Sequence, residues 1–310
     1  MTALEAVSAY LPAGRVTIED LAVRLDLTDR QVRVFRRFHG LAEVCRDPDG
    51  TLFDLLAGAA TSLPELRGQE HRVRYVLYAR GMPVAVPYPM NPLHDVCRMV
   101  GLGHAVAFTV THHACATGLL AVDIAGRLLA SDGEPGALAL VLAGEKTFTR
   151  DAELVPETSL FGEGAAACLV SADGPRDRML SYVSRIRGDF DGRLVEDAEL
   201  LARFQKEYPE ALAQVIIDAA EQAGVPVADL SLILPHNVNV VSWRRMCKRI
   251  GYPVDQVVLD NIPRTGHNFA ADAFINYDTA AQRGLLRDGD TYLVAAAGLG
   301  ATFSAMVFQH

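Results

Sequence analysis

The chain has 310 residues, 50% hydrophobic and 22% charged, the balance of an ordinary globular protein with length for a large core. Lys and Arg number 29 against 38 Asp and Glu, a formal charge of −9 that speaks against nucleic acid as a partner. Cys45, Cys97, Cys115, Cys168 and Cys247 form neither a CxxC pair nor a zinc spacing, so no metal site is expected and a reduced, cytoplasmic setting fits. Met1-Thr2-Ala3-Leu4-Glu5 lacks the basic-then-apolar order of a secretory signal. Asp123 and Arg127 interrupt the longest apolar run short of the roughly 18 residues a membrane span requires, and no membrane partner is expected.

Two short helices are predicted over residues 17–26 and 28–38, each opened by a threonine cap. Thr17-Ile18-Glu19-Asp20 and Thr28-Asp29-Arg30-Gln31 carry an acidic or glutamine residue near the third helical position. Arg33, Arg36 and Arg37 make the second helix basic, which reads as a solvated face or as a patch for phosphate or an acidic partner. A helix over 52–60 and a strand over 73–78 follow, then the proline-punctuated loop Val86–Pro92 and a helix over 93–100. Residues 105–110 read as a strand, 119–130 as an apolar helix and 137–143 as a buried strand. Phe161-Gly162-Glu163-Gly164 is a glycine turn feeding another strand. It is not a dinucleotide fingerprint, because no helix follows, and no Walker sequence is present.

The polar break Gly174–Arg178 is the expected boundary between two halves, 1–174 and 175–310. Beyond it the pattern predicts a strand over 179–186 and a helical region over 197–223 interrupted near Pro209. An apolar run over 230–234 leads into Pro235-His236-Asn237. Helices over 241–250 and 271–284, a strand over 256–259, a loop over 263–268 and closing strands over 291–297 and 302–308 complete the chain. Strands alternating with helices, several of them continuously apolar, predict an α/β fold whose sheets are covered on both faces.

Cys115 falls at the turn between the strand over 105–110 and the helix over 119–130. The first amides of a helix have no intrahelical partner. With the positive end of the dipole they stabilise a thiolate and can receive an oxyanion. Such a thiolate attacks thioesters, although a cysteine here also reads as a buried structural residue. His236, His267 and Asp272 each lie just past a strand or at a helix start, where α/β proteins place their sites. Each also has a plain structural reading, and spacing alone does not bring the four together.

Four segments in order carry a resemblance. Ala114-Cys115-Ala116-Thr117-Gly118 is similar to a nucleophile turn, and Phe161-Gly162-Glu163-Gly164-Ala165 to an FGDGAGA turn with Glu in place of Asp. Pro235-His236-Asn237-Val238-Asn239 is similar to PHQAN, and Gly298-Leu299-Gly300-Ala301-Thr302 to a GGGxT closing loop. Over nearly its whole length the chain resembles the β-ketoacyl-acyl-carrier-protein synthase III branch of the thiolase superfamily. The resemblance implies a duplicated five-layered αβαβα fold, normally a homodimer. It also implies a ping-pong reaction in which Cys115 takes an acyl group from a coenzyme A or acyl-carrier-protein thioester, with no bound cofactor. By the same resemblance the oxyanion hole is made by the backbone N–H of Cys115 and of the Gly298–Gly300 loop at Leu299. Arg150 would lie near a coenzyme A entrance, and Val86–Pro92 near the acyl pocket.

One departure changes the chemistry. Condensing members have a Gly-Asn motif whose Asn, with the PHQAN histidine, binds the malonyl thioester carbonyl. A gapless alignment puts His267 in that slot, whereas a one-residue slip would restore Asn268. The gapless form gives Gly266-His267-Asn268-Phe269-Ala270-Ala271-Asp272, similar to the GHxxxxD pattern of acyltransferase-like relatives from polyketide and other secondary-metabolite pathways. Histidine can take a proton near neutral pH and asparagine cannot. A Cys115–His267–Asp272 relay therefore suits acyl transfer to a hydroxyl, amine or thiol, with His236 donating to the thioester carbonyl or acting as a second base. This reading is favoured over decarboxylative Claisen condensation with a malonyl thioester. A non-catalytic partner subunit and a thioester hydrolase are the rivals. Where the family carries a basic residue shortly after the PHQAN histidine this chain has Val241. Arg244, Arg245 and Lys248 follow, as a carrier-protein docking face or simply the polar side of a helix.

Overall fold

The computed structural model describes residues 1–82, 86–87, 89–190 and 197–310. Tyr88, in the loop expected near the acyl pocket, lies outside the described residues. The N-terminal elements are β1 (Ala3–Tyr10), β2 (Arg15–Thr17), α1 (Ile18–Leu25), α2 (Asp29–Val34), β3 (Glu43–Cys45), α3 (Leu52–Thr61), β4 (Val73–Ala79), α4 (Pro92–Met99), β5 (Val106–Val110) and α5 (Thr117–Asp132). There follow β6 (Leu138–Gly144), β7 (Leu154–Val155), β8 (Ser159–Leu160), β9 (Ala165–Ser171) and β10 (Arg178–Ile186). The chain closes with α6 (Ala198–Ala223), β11 (Leu232–Pro235), α7 (Val240–Ile250), α8 (Ile262–Thr265), α9 (Asp272–Gln282), β12 (Thr291–Gly298) and β13 (Thr302–Gln309).

The two caps read from the sequence are made: Thr17 accepts from the Asp20 N–H, and Thr28 with Gln31 forms a reciprocal capping box. Thr51 with Asp54, not read from the sequence, forms another. α2 continues into a π-helical turn, Phe35–His39, which Gly40 ends in the left-handed region at φ 77.

Nine strands form one mixed sheet in the order β11-β12-β13-β10-β1-β9-β6-β4-β5. β1 and β10 meet at a single register pair, Ala3↔Arg178, so the two parts of the sheet are joined by little more than a corner. Side-chain alternation then sets the layers. Val76, Leu140 and Leu169 pack with α3 and α4, whereas Leu77, Val141 and Cys168 pack with α5 and α9. Val294 and Met306 enter that same central layer from the other part of the sheet, and Leu293 and Val307 pack with α6 and α7. The result is the five-layered αβαβα arrangement that the resemblance implies, with α5 and α9 in the middle. α5 with its preceding turn is long and apolar enough to cross a membrane by length and composition, but it is mostly buried in this central layer.

Three sequence expectations need correcting. β1 was not expected, because its Ala3, Ala6 and Ala9 give no strand-like pattern; it forms because β9 pairs with it from Ala3↔Ser171 to Tyr10↔Ala165. α6 runs unbroken through Pro209. Proline there removes one hydrogen bond, to the Gln205 carbonyl, while Phe204 on one side and Leu212, Val215 and Ile216 on the other are anchored in the core. The strand expected over 256–259 is reduced to one bridge, Ile233↔Val257, because a 3-10 turn at Val254–Gln256 takes the residues that would have extended it.

Candidate active site

Cys115 sits in a buried 3-10 turn, Ala114–Ala116, between β5 and α5. His112 (φ 74) and Ala114 (φ 45) hold left-handed backbone, which side-chain-bearing residues adopt only when their surroundings enforce it. The enforcing neighbour is the end of β12. A Cβ on Gly298 would lie 2.1 Å from the His113 carbonyl oxygen and 3.0 Å from the Cys115 nitrogen. Gly298→Ala is therefore expected to cost about 1–3 kcal/mol of stability by overpacking and to slow alkylation of Cys115. Urea unfolding with an unchanged midpoint would show that the turn yields freely.

His267 arrives from the other half of the chain. Its N–H donates to the Leu160 carbonyl and its carbonyl accepts from the Gly162 N–H, each at 2.9 Å, so its backbone is fixed beside the Phe161 turn. Its Nε2 lies 3.1 Å from Cys115 Sγ, and Nδ1 bonds Asp272 Oδ2. Asp272 is held in turn: Oδ2 accepts the Asn237 N–H at 2.5 Å and Oδ1 the Asn268 N–H at 2.7 Å. The imidazole stacks on Phe161 at 4.7 Å, and Phe161 stacks on Phe269 at 4.2 Å. Burial works against the imidazolium, but the charges of Cys115 and Asp272 and their hydrogen bonds outweigh it and raise the His267 pKa to about 10.

Asn268 points elsewhere. Its Oδ1 accepts the Gly164 N–H at 2.8 Å and contacts Cys45 Sγ at 3.1 Å, while Nδ2 faces Thr265 and the Gly266 carbonyl. Of the two candidates for the slot opposite the sulfur, His267 occupies it. Glu163, the replacement within the glycine turn, is buried against Lys146 at 2.5 Å and accepts the Asp47 and Thr147 N–H groups.

His236 is the second imidazole, with its ring centroid 5.9 Å from that of His267. Its carbonyl accepts from Trp243 Nε1 and its Nε2 meets the Tyr208 hydroxyl, both at 2.8 Å. Burial first, and then the charge of His267, lowers its pKa to about 3, so this ring stays neutral.

A cavity of about 400 Å³ reaches Cys115, His236 and His267 and is walled by Phe161, Tyr208 and Leu299, with Phe38, His39 and Arg245 also lining it. Leu299 thus stands at the cavity. Arg245 joins it from α7, whose exposed side also carries Arg244 and Lys248, opposite buried Trp243, Met246 and Cys247. Arg150 does not line this cavity. Its Nη2 instead donates to the Leu25 carbonyl at 2.7 Å, satisfying an orphan carbonyl at the end of α1. Among the described residues no three His, Cys, Asp or Glu side chains are grouped as metal ligands. Tyr208, Phe161 and Phe269 were not singled out from sequence as site residues. Pro209, which marks where α6 meets the cavity, was the only signal near Tyr208.

A family model described as 3-oxoacyl-[acyl-carrier-protein (ACP)] synthase III C terminal matches residues 220–310. β-Ketoacyl-[acyl-carrier-protein] synthase III of Sphingopyxis alaskensis is 27% identical, over 99% of this chain and 98% of its own length. The crystal structure of 3-oxoacyl-[acyl-carrier-protein] synthase III from Aquifex aeolicus superposes with a TM-score of 0.84 at 22% identity, covering 100% of both chains. ChlB3, described as an acyltransferase, gives 0.84 at 18% identity over 99% of this chain and 97% of its own. With its five layers, its cysteine turn at the head of α5 and these full-length likenesses, the chain has the thiolase-like fold and is similar over its whole length to β-ketoacyl-acyl-carrier-protein synthase III.

Proposed function

We propose that the protein is an acyltransferase that moves an acyl group from a coenzyme A or acyl-carrier-protein thioester, through Cys115, to an acceptor hydroxyl, amine or thiol in secondary metabolism. The observation that carries this reading is His267 Nε2 at 3.1 Å from Cys115 Sγ with Asp272 behind Nδ1. In the first half-reaction Cys115 Sγ bonds the acyl carbon, the donor's carbon–sulfur bond breaks, and the His267 imidazolium gives its proton to the departing thiolate. Backbone N–H groups of Cys115 and Leu299 receive the oxyanion.

Acylation then removes the Cys115 charge that raised the His267 pKa, while burial, which lowers it, stays. The imidazole is thereby converted into a base when the acceptor needs one. It takes the acceptor's proton, the acceptor atom bonds the acyl carbon, and the bond to Sγ breaks.

Decarboxylative condensation is the second reading, supported by the names of the synthase III relatives. The engagement of Asn268 with Gly164 and Cys45 weighs against it. Arg244, Arg245 and Lys248 are the proposed carrier contact. A homodimer formed in a reducing cytoplasm belongs to the same reading, and the five cysteines are free.

Intact-mass spectrometry after mixing with acyl-CoA tests the proposal. An adduct on Cys115 that persists in buffer and discharges to an added nucleophile is expected. No adduct points to a scaffold subunit, and spontaneous discharge to a hydrolase. Carbon dioxide release from malonyl thioesters that persists in His267→Ala would establish condensation instead.

A further inference from the structure

Phe269 stands where a large side chain is least expected. Its backbone has φ 52, a left-handed conformation that glycine adopts freely and bulky residues seldom do. The neighbouring backbone is tied down: the Asn268 N–H donates to Asp272 Oδ1 at 2.7 Å, and the Ala271 N–H to the Asn268 carbonyl at 3.0 Å. The phenyl ring is buried and lies almost parallel to Phe161, with centroids 4.2 Å apart and planes at 12°. On its other side it reaches the backbone beside the cysteine turn. A Cβ on Gly81 would stand 3.6 Å from Phe269 Cδ1 and 3.6 Å from the Ala114 carbonyl carbon. That wall is fixed in turn, because the Gly81 and Met82 N–H groups donate to Oε1 of buried Glu145, at 2.6 and 3.2 Å.

Cys115, Ala152, Val155, Phe161 and Phe269 form one small buried cluster, with Met82 and Leu299 packed on it. Cys115, Val155, Phe161 and Leu299 also line the cavity, whereas Ala152, Met82 and Phe269 do not. Among the described residues the cavity therefore stops at Phe161, with Phe269 behind it. A thioester donor comes to Sγ along this cavity, and its long thiol arm occupies it when the acyl carbon reaches the sulfur. The acyl tail then has to lie on the far side of Sγ, in the sector that Phe161 and Phe269 fill.

We infer that Phe269 sets the size of the acyl group, closing the sector beside Cys115 so that an acetyl or propionyl group fits and longer chains do not. This rests on the acyl-enzyme reading above and names the class of donor that it leaves open, a short aliphatic acyl thioester. The segment that supplies the base at His267 thus supplies the stop two positions later.

The test is a chain-length series. Single-turnover acylation by acetyl-, propionyl-, butyryl- and hexanoyl-CoA is read by quenched intact-mass spectrometry in wild type, Phe269→Gly and Phe269→Leu. In wild type, propionyl transfer is expected within about fivefold of acetyl, and hexanoyl transfer about 100-fold or more slower, the scale on which an apolar pocket discriminates methylenes. Phe269→Gly, which suits the left-handed backbone, should raise the hexanoyl-to-acetyl ratio about 30-fold or more, and Phe269→Leu by a smaller factor above about threefold. The ratio separates the stop from damage to the Cys115–His267 pair, which slows every donor alike. Hexanoyl transfer in wild type at the acetyl rate overturns the inference and leaves the acyl-enzyme intact. So does a ratio that neither variant moves. Wild-type protein that takes no acyl group from any of the four thioesters overturns the functional reading, and this inference with it.

Discussion

His267→Ala is expected to lower the rate of acyl transfer by about 10³- to 10⁴-fold, the scale on which proton-transferring residues of such relays act. The loss should fall on both half-reactions, since one imidazole gives a proton to the leaving thiolate and later takes one from the acceptor. Single-turnover acylation and discharge of preformed acyl-enzyme, measured separately, would show this. A variant slowed only in discharge would reduce His267 to a base for the acceptor. A second signature lies in stability. The His267 pKa is raised in the folded protein from its ordinary 6.5 to about 10. The sign follows from linkage: between these values the folded state holds a proton that the unfolded state has released, so stability falls as pH rises. The contribution is complete below 6.5 and is lost as pH climbs through about 10. Urea unfolding over that window should show wild type losing its advantage and His267→Ala lacking that decline.

Asp272→Asn changes one atom type and disturbs four contacts. The carboxylate accepts from His267 Nδ1, from the backbone N–H groups of Asn237 and Asn268, and from Asn268 Nδ2. An amide has only one acceptor oxygen and presents hydrogens where these donors point. The His267 ring is then free to hold its proton on Nε2, facing the sulfur, which is the wrong tautomer for a base. The expected result is a fall in rate of about 10²- to 10⁴-fold, with about 1–3 kcal/mol of stability lost from an unsatisfied buried donor. Rates and denaturant midpoints measured on the same preparation separate the two effects. Lost stability with a wild-type rate would make Asp272 a helix-terminal carboxylate and nothing more.

Local chemistry was legible wherever it is settled by neighbours in sequence. Thr17 and Thr28 cap helices because residues three positions later are within reach, and these contacts do not depend on the rest of the fold. β1 was not legible, because its strand character comes from β9, which lies more than 150 residues away. Pro209 misled for the same reason: packing on both sides of it in the core outweighs one missing hydrogen bond. The site divides likewise. The Cys115 turn could be read from its strand and helix, but the separation of 152 positions from His267 could be bridged only by resemblance. Tyr208 had no motif at all. Its place at the cavity is set by how α6 lies on the sheet, and no short stretch of sequence records that.

The corner at Ala3↔Arg178 and the close approach of Gly298 to Cys115 bear on how the protein is made. During synthesis the cysteine leaves the ribosome long before His267, Asp272 and β12 exist. Until those later segments dock, the thiol has neither its imidazole nor the glycine that shapes its turn. A nascent or truncated polypeptide would thus carry an unarmed sulfur, and reactivity would switch on only when the two ends of the sequence close over one another.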